Sequence, residues 1–214
     1  MRGRFAPKNP VSWQELQDLL AILDGPNPAL LDKVEIRPTN AYPFIPFIAV
    51  GKDGATKIVD GRWSLVPNWW NKPLSDFKLT TFNAKVETAD TATTFKGAFA
   101  KRHCLIPVDY FWEWWGPHAA DPKKKQRQEI HRADNYPMVF AGIWDFAKPT
   151  DHPDGIVSLT MLTRAAGDDL SPYHKREPIT LLPDEWRDWL DLKPGMSVNY
   201  SATSETFRFI SCPI

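Results

Sequence analysis

The sequence predicts an α+β fold built on a curled, barrel-like, mostly antiparallel sheet with a few short helices, and three observations point there. From Phe44 onwards most of the chain consists of short apolar runs rich in β-branched and aromatic residues. Turn signals such as Lys52-Asp53-Gly54 and His152-Pro153-Asp154-Gly155 separate these runs. Strands and long helices do not alternate, which argues against a doubly wound parallel sheet. The 214 residues suffice for one sizeable core, so residues 1–214 are expected to form a single domain.

The elements follow in order. After the opening MRGRFAP, Ser12-Trp13-Gln14-Glu15 has the spacing of a capping box, and Trp13, Leu16, Leu19, Leu20 and Leu23 recur at helical intervals. One amphipathic helix is therefore expected there, stopped near Gly25-Pro26. The strand-like runs are FIPFIAV, KIVDGRWSLVP, LTTFNAKVET, HCLIPVDYFWEWW, MVFAGIWDFA, IVSLTMLT and PITLLP. Two short helices are expected at 94–102 and 183–190; in the second, Pro183 opens the turn, and Trp186, Trp189 and Leu190 form one apolar face. The polar, Lys/Arg-rich stretch 117–137 reads as a solvated hairpin between two apolar strands, with backbone-phosphate contact as the sharper alternative.

Composition limits the function classes. The chain carries 26 basic and 26 acidic residues, so any anion site must be local rather than a property of the whole surface. Ten Trp and 12 Phe supply large flat faces that serve either a core or stacking on planar ligands. The two cysteines, Cys104 and Cys212, suggest neither a metal cluster nor a disulfide framework, which fits a reducing compartment. No apolar stretch reaches membrane-span length and no signal-type segment follows Met1, so the expectation is a soluble cytoplasmic protein with no membrane partner. A Gly-rich phosphate loop, an HExxH motif and paired cysteine ligands are all missing from the sequence, so no metal or other cofactor is expected.

Three polar residues stand out for chemistry. Glu113 lies in Phe111-Trp112-Glu113-Trp114-Trp115, and strand alternation sends Phe111, Glu113 and Trp115 to one face. If that face is buried, desolvation raises the carboxyl pKa and makes it a proton donor and acceptor near neutrality; an exposed glutamate on a solvated face is the equal alternative. His174 falls in Ser171-Pro172-Tyr173-His174-Lys175-Arg176-Glu177-Pro178, a loop-like segment, where it is either a titrating group or simply solvated. Asn83, in Phe82-Asn83-Ala84-Lys85, is an amide within a strand-like run and needs hydrogen-bond partners if buried. His103 and Cys104 are neighbours on a strand and so point to opposite faces, which makes Cys104 a small buried hydrophobe rather than half of a Cys-His pair.

Taken in order along the chain, Gly3-Arg4-Phe5, Arg37-Pro38-Thr39-Asn40, Gly61-Arg62-Trp63-Ser64-Leu65-Val66-Pro67, and Asn83-Ala84-Lys85-Val86-Glu87-Thr88 form a set that resembles the SRAP family of abasic-site processing proteins. The resemblance continues through Cys104-Leu105-Ile106-Pro107, Phe111-Trp112-Glu113-Trp114, Phe140-Ala141-Gly142-Ile143-Trp144, Leu162-Thr163 and the stretch from His174 to Pro178. It implies a monomeric, β-rich domain with a positively charged channel for single-stranded DNA carrying abasic sites. It further implies catalytic roles for Asn83, Glu113 and His174: positioning the N-terminal residue and the sugar, acid/base work, and proton transfer on the sugar oxygen. Arg4 matches a phosphate-binding arginine; Lys85 stands where the family usually has arginine, so a point charge replaces a bidentate fork. Trp63 and Pro67 are similar to a stretch that lines the DNA channel.

Position 2 departs from the pattern. The family exposes a cysteine after removal of the initiator Met, and its amine and thiol condense with the aldehyde of an abasic site to a thiazolidine crosslink. Here Arg2 occupies that position, with no thiol and no nucleophilic nitrogen while protonated. Initiator Met is normally trimmed only before a small residue, so Met1 is expected to remain, and its α-amine is the group left to form a Schiff base, one residue out of register. The expectations at this point are abasic-site processing with the covalent step lost or impaired, a non-covalent single-stranded DNA module gripping through Arg2, Arg4 and Lys85, or an SOS-associated peptidase acting on its own N-terminus. Nucleoid association follows from either DNA reading.

Overall fold

The computed structural model describes residues 5–7, 43–118, 121–133, 138–192 and 207–211; residues 5–7 and 207–211 are described through their strand pairing. The helix expected after Ser12, the Arg37 to Asn40 motif, Met1, Arg2, Gly3, Arg4 and Cys212 lie outside the described residues.

Among the described residues ten strands form one sheet: β1 (Phe5–Pro7), β2 (Phe44–Val50), β3 (Thr56–Trp63), β4 (Asn83–Lys85), β5 (His103–Pro117), β6 (Lys125–Arg132), β7 (Met138–Ala147), β8 (Ile156–Ala165), β9 (Arg176–Pro178) and β10 (Phe207–Ser211). Three short helices accompany them among the described residues: α1 (Val86–Ala89), α2 (Lys96–Phe99) and α3 (Glu185–Leu190). The fold is thus α+β, with antiparallel pairing everywhere except where β3 and β4 run parallel to β8. Pairing passes from β5 to β2, β2 to β3, β3 to β8, β8 to β7 and back from β7 to β5, so the sheet curls until the strands meet again.

Residue alternation explains why this curl is stable. On β2, Ile45, Phe47 and Ala49 point into one core, together with Cys104, Ile106, Phe140, Leu159 and Met161 from neighbouring strands. Ile48, from the opposite face, joins Leu105, Val139, Ala141 and Leu162 in a second core, which Trp186, Trp189 and Leu190 of α3 cover. The first core is tight. A Cβ added to Gly142 would lie 2.7 Å from Ile106 Cδ1 and 2.9 Å from Cys104 Sγ, and one added to Gly61 would lie 2.7 Å from Phe47. Glycine at these two places lets opposing strands carry bulky neighbours without a clash.

KIVDGRWSLVP is strand only as far as Trp63, PITLLP only at Pro178 with a single bridge from Thr180 to Phe140, and two further segments differ from the expectation. The stretch 117–137 does not merely connect two strands: Lys125–Arg132 is itself a strand, paired with β5 from Phe111↔Ile130 to Pro117↔Lys125. Gln126, Gln128, Ile130 and Arg132 are buried on one of its faces, so its polar composition concealed a two-residue alternation. In LTTFNAKVET only Asn83–Lys85 is extended, and Val86–Ala89 turns into helix immediately afterwards. The helices expected at 94–102 and 183–190 are found, shortened to Lys96–Phe99 and Glu185–Leu190.

Candidate functional site

β5 supplies the first functional side chain. Its early half pairs with β2 and β7, while its later half pairs with β1 and β6, so Glu113 sits where the strand has left one neighbour pair for the other. Phe111, Trp112 and Glu113 are all buried, with Glu113 only 3% exposed. The buried alternative at Glu113 is therefore the one realised. β1 pairs antiparallel beside this segment, with Phe5 opposite Phe111 and Ala6 opposite Tyr110.

His174 comes from the loop before β9, and that loop is ordered by its own hydrogen bonds. The Leu170 carbonyl accepts from the amides of Tyr173 at 2.9 Å and His174 at 2.8 Å. Glu177, 1% exposed, accepts from the Gly167 amide at 3.0 Å and from Arg164 Nε at 2.7 Å, tying both ends of the loop to β8. The imidazole Nδ1 lies 2.8 Å from the Arg176 carbonyl and 3.1 Å from its amide nitrogen. Nε2 points the other way, 4.0 Å from Glu113 Oε2. That separation exceeds a hydrogen bond, but a polar atom set to one side of the pair can lie within hydrogen-bond distance of both groups.

Asn83 lies on β4, opposite Met161 of β8, with its Oδ1 buried and without a hydrogen-bond partner. β9 flanks β8 on the other side, with Thr163 opposite both Lys85 and Pro178. Two strand spacings, about 10 Å, therefore separate the backbones that carry Asn83 and the His174 loop. A polar bridge spans that distance. Arg176 donates from Nη1 to Glu87 Oε1 at 2.7 Å and from Nη2 to Glu87 Oε2 at 2.8 Å, and it also bonds the Thr163 carbonyl. Thr163 Oγ1 donates to the Ala84 carbonyl at 3.2 Å, and Glu87 accepts from the Ala165 amide at 3.2 Å. The Arg176 side-chain hydrogen bonds hold the Glu87 carboxyl down at about 2. Lys85 is exposed beside this bridge.

Trp63 and Pro67 do not line an open channel. Trp63 is 0% exposed, packed edge-on against Phe82, and its Nε1 donates to the Phe82 carbonyl at 2.9 Å. Pro67 is buried as well. The run after Trp63 is pinned along β8 and β7, because the Ser64 amide donates to the Leu159 carbonyl, the Val66 amide to Ser158 Oγ, and the Asn68 amide to Asp145 of β7. Neither face of the Trp63 indole is open to a base. The exposed aromatic nearest in sequence is Trp69, at 48%.

Cys104 is fully buried, and burial pushes its thiol well above the ordinary range, so it is inert as a nucleophile. Among the described residues no group of three or more His, Cys, Asp or Glu is placed to hold a metal ion. Sequence reasoning missed the Glu87–Arg176 bridge, although both residues lay in motifs it quoted. It also missed the stack of Trp115 on Tyr173, whose centroids are 4.5 Å apart at 25°. The signal available for each was position alone: Arg176 two residues after His174, and Tyr173 one before it.

A buried glutamate facing a loop histidine, on a curled α+β sheet with β1 beside the glutamate's strand, is the candidate site. A family profile for SOS response associated peptidase (SRAP) matches residues 1–208, and the chain belongs to that family. Abasic site processing protein YedK of Escherichia coli is 32% identical over 128 residues, 60% of this chain and 52% of YedK. Abasic site processing protein YMR114C of Saccharomyces cerevisiae is 30% identical over 160 residues, covering 73% of this chain and 39% of that one. The match thus spans about half or less of these relatives' lengths. A crystal structure of a Bordetella bronchiseptica protein superposes with TM-score 0.73 over 99% of both chains at 24% identity, which shows the shared fold. No helix among the described residues is long and apolar enough to cross a membrane.

Proposed function

We propose that this chain is an abasic-site processing protein that holds the lesion of single-stranded DNA against the Glu113–His174 pair, and that Arg2 deprives it of the family's thiazolidine chemistry. The observation that carries this reading is the buried Glu113 carboxylate facing His174 Nε2 at 4.0 Å, in a family whose relatives above are named for abasic-site processing.

The chemistry follows from the groups present. An abasic sugar is an equilibrium of ring-closed hemiacetal and open aldehyde; His174 moves the proton between the ring oxygen and the anomeric hydroxyl. An amine then adds to the aldehyde carbon, and the carbinolamine loses water as Glu113 gives up a proton to the departing hydroxyl. The Asn83 amide, with its Oδ1 lacking a protein partner, is available to orient the sugar or the N-terminal residue. With Arg2 in place the only amine at the terminus is that of Met1, so the covalent product is limited to a reversible imine. Arg2, Arg4 and the exposed Lys85 supply positive charge for flanking phosphates. The protein works as a monomer, as one domain over 1–214, inside the cell where the DNA is.

The test is binding of a single-stranded oligonucleotide with a central tetrahydrofuran abasic analogue across a salt series. The wild-type affinity should fall with log salt at about −0.7 per phosphate neutralised, and Lys85→Ala should flatten that slope by about 0.7. Absence of salt-sensitive binding to any single strand would overturn the assignment.

A further inference from the structure

Trp63 is buried in the core, so the base-stacking surface that a single-stranded DNA protein needs must lie elsewhere. The site itself offers one. Trp115 follows Glu113 by two residues on β5, and therefore lies on the same face of the strand. Tyr173 immediately precedes His174. Their rings stack with centroids 4.5 Å apart and planes 25° from parallel, while Glu113 and His174 meet at 4.0 Å one step away along the same two segments. Tyr173 remains 43% exposed, so the outer part of this two-ring slab meets solvent. Trp115 is partly buried against the core that holds Phe111 and Phe140, which makes the slab's inner ring rigid.

Building on the function proposed above, we infer that the Trp115–Tyr173 stack is a platform for one nucleobase, that of the nucleotide flanking the abasic site. A base next to an abasic sugar has lost a stacking neighbour, and an aromatic face beside the sugar pocket replaces it. Such stacking tolerates any base, because every base presents a π face, so the platform adds affinity for the lesion without reading sequence. The pair also explains how affinity is placed near the site with few charged groups: flat apolar area holds the neighbour while the polar groups stay directed at the sugar.

The experiment uses the full chain and a single-stranded oligonucleotide in which 2-aminopurine flanks a tetrahydrofuran abasic analogue. Wild-type protein should bind and quench the 2-aminopurine fluorescence. Tyr173→Leu should weaken binding about 5- to 100-fold and remove most of the quench, and Tyr173→Phe should retain both. Wild-type affinity and quench in Tyr173→Leu would overturn the platform while leaving the proposed function standing. The same holds if that variant changes only the crosslinking rate in an Arg2→Cys background, since Tyr173 would then merely position His174. Failure of the wild-type chain to bind the oligonucleotide would remove the function and the platform together.

Discussion

Glu113 is 3% exposed among aromatic side chains, a position where a carboxylate costs the fold stability unless other groups pair with it. His174 faces it, with Nε2 4.0 Å from Glu113 Oε2. Replacing the acid while keeping its shape separates the two roles. In an Arg2→Cys background, Glu113→Gln should slow crosslinking to an abasic site by about 100-fold or more, with the affinity for a tetrahydrofuran oligonucleotide nearly unchanged. Single-turnover gels and a binding titration measure the two quantities; equal loss in both would mark Glu113 as a binding or folding residue instead. The sequence singles out Glu113, His174 and Asn83 because each sits in a short motif whose residue types are unusual for its setting. It misplaced Trp63 and Pro67, because a large aromatic in a strand is compatible with either a core or a channel wall. Only the long-range contacts with Phe82, Leu159 and Ser158 decide that it is the core.

At the scale of elements, the site depends on β4, β8 and β9 staying in register, and the Glu87–Arg176 bridge crosses all three. Its backbone consequence reaches the chemistry: the residue whose guanidinium Glu87 holds is the one whose carbonyl and amide hold His174 Nδ1. Because the folded-state carboxyl of Glu87 lies at about 2, below its ordinary value of 4.5, the bridge contributes its full stability above pH 4.5 and loses it as the pH falls toward about 2. The glutamate side chain is 46% exposed, so solvent screening limits the contribution to about 1 kcal/mol or less. Glu87→Gln should therefore lower stability modestly at pH 7, and its deficit relative to wild type should close between pH 4.5 and pH 2, as read from urea midpoints at several pH values. A deficit that stays constant with pH would show that the bridge acts through packing. Such a bridge joins residues 89 positions apart, and no local pattern announces it. The same limit hid β6: Lys125–Arg132 has too few apolar residues to read as a strand until Phe111 to Pro117 pair with it.

For the whole molecule, the curl of the sheet brings β1 beside the strand that carries Glu113. β5 leaves its pairing with β2 and β7 and continues alongside β1 and β6, so the strand that closes the curl also carries Glu113 and meets Phe5. The runs of β-branched and aromatic residues foretold this sheet well, since β2, β5, β7 and β8 are each buried on both faces for much of their length. The proposed function turns on Arg2, which carries no thiol. The direct measurement is a denaturing gel of the full chain incubated with single-stranded DNA carrying one abasic site, with and without borohydride, beside Arg2→Cys. The Arg2 chain should give no adduct without borohydride and at most a trapped secondary amine with it, whereas Arg2→Cys, once its Met1 is removed, should give an adduct that survives denaturation unaided. An equally stable adduct from the Arg2 chain without borohydride would contradict the account.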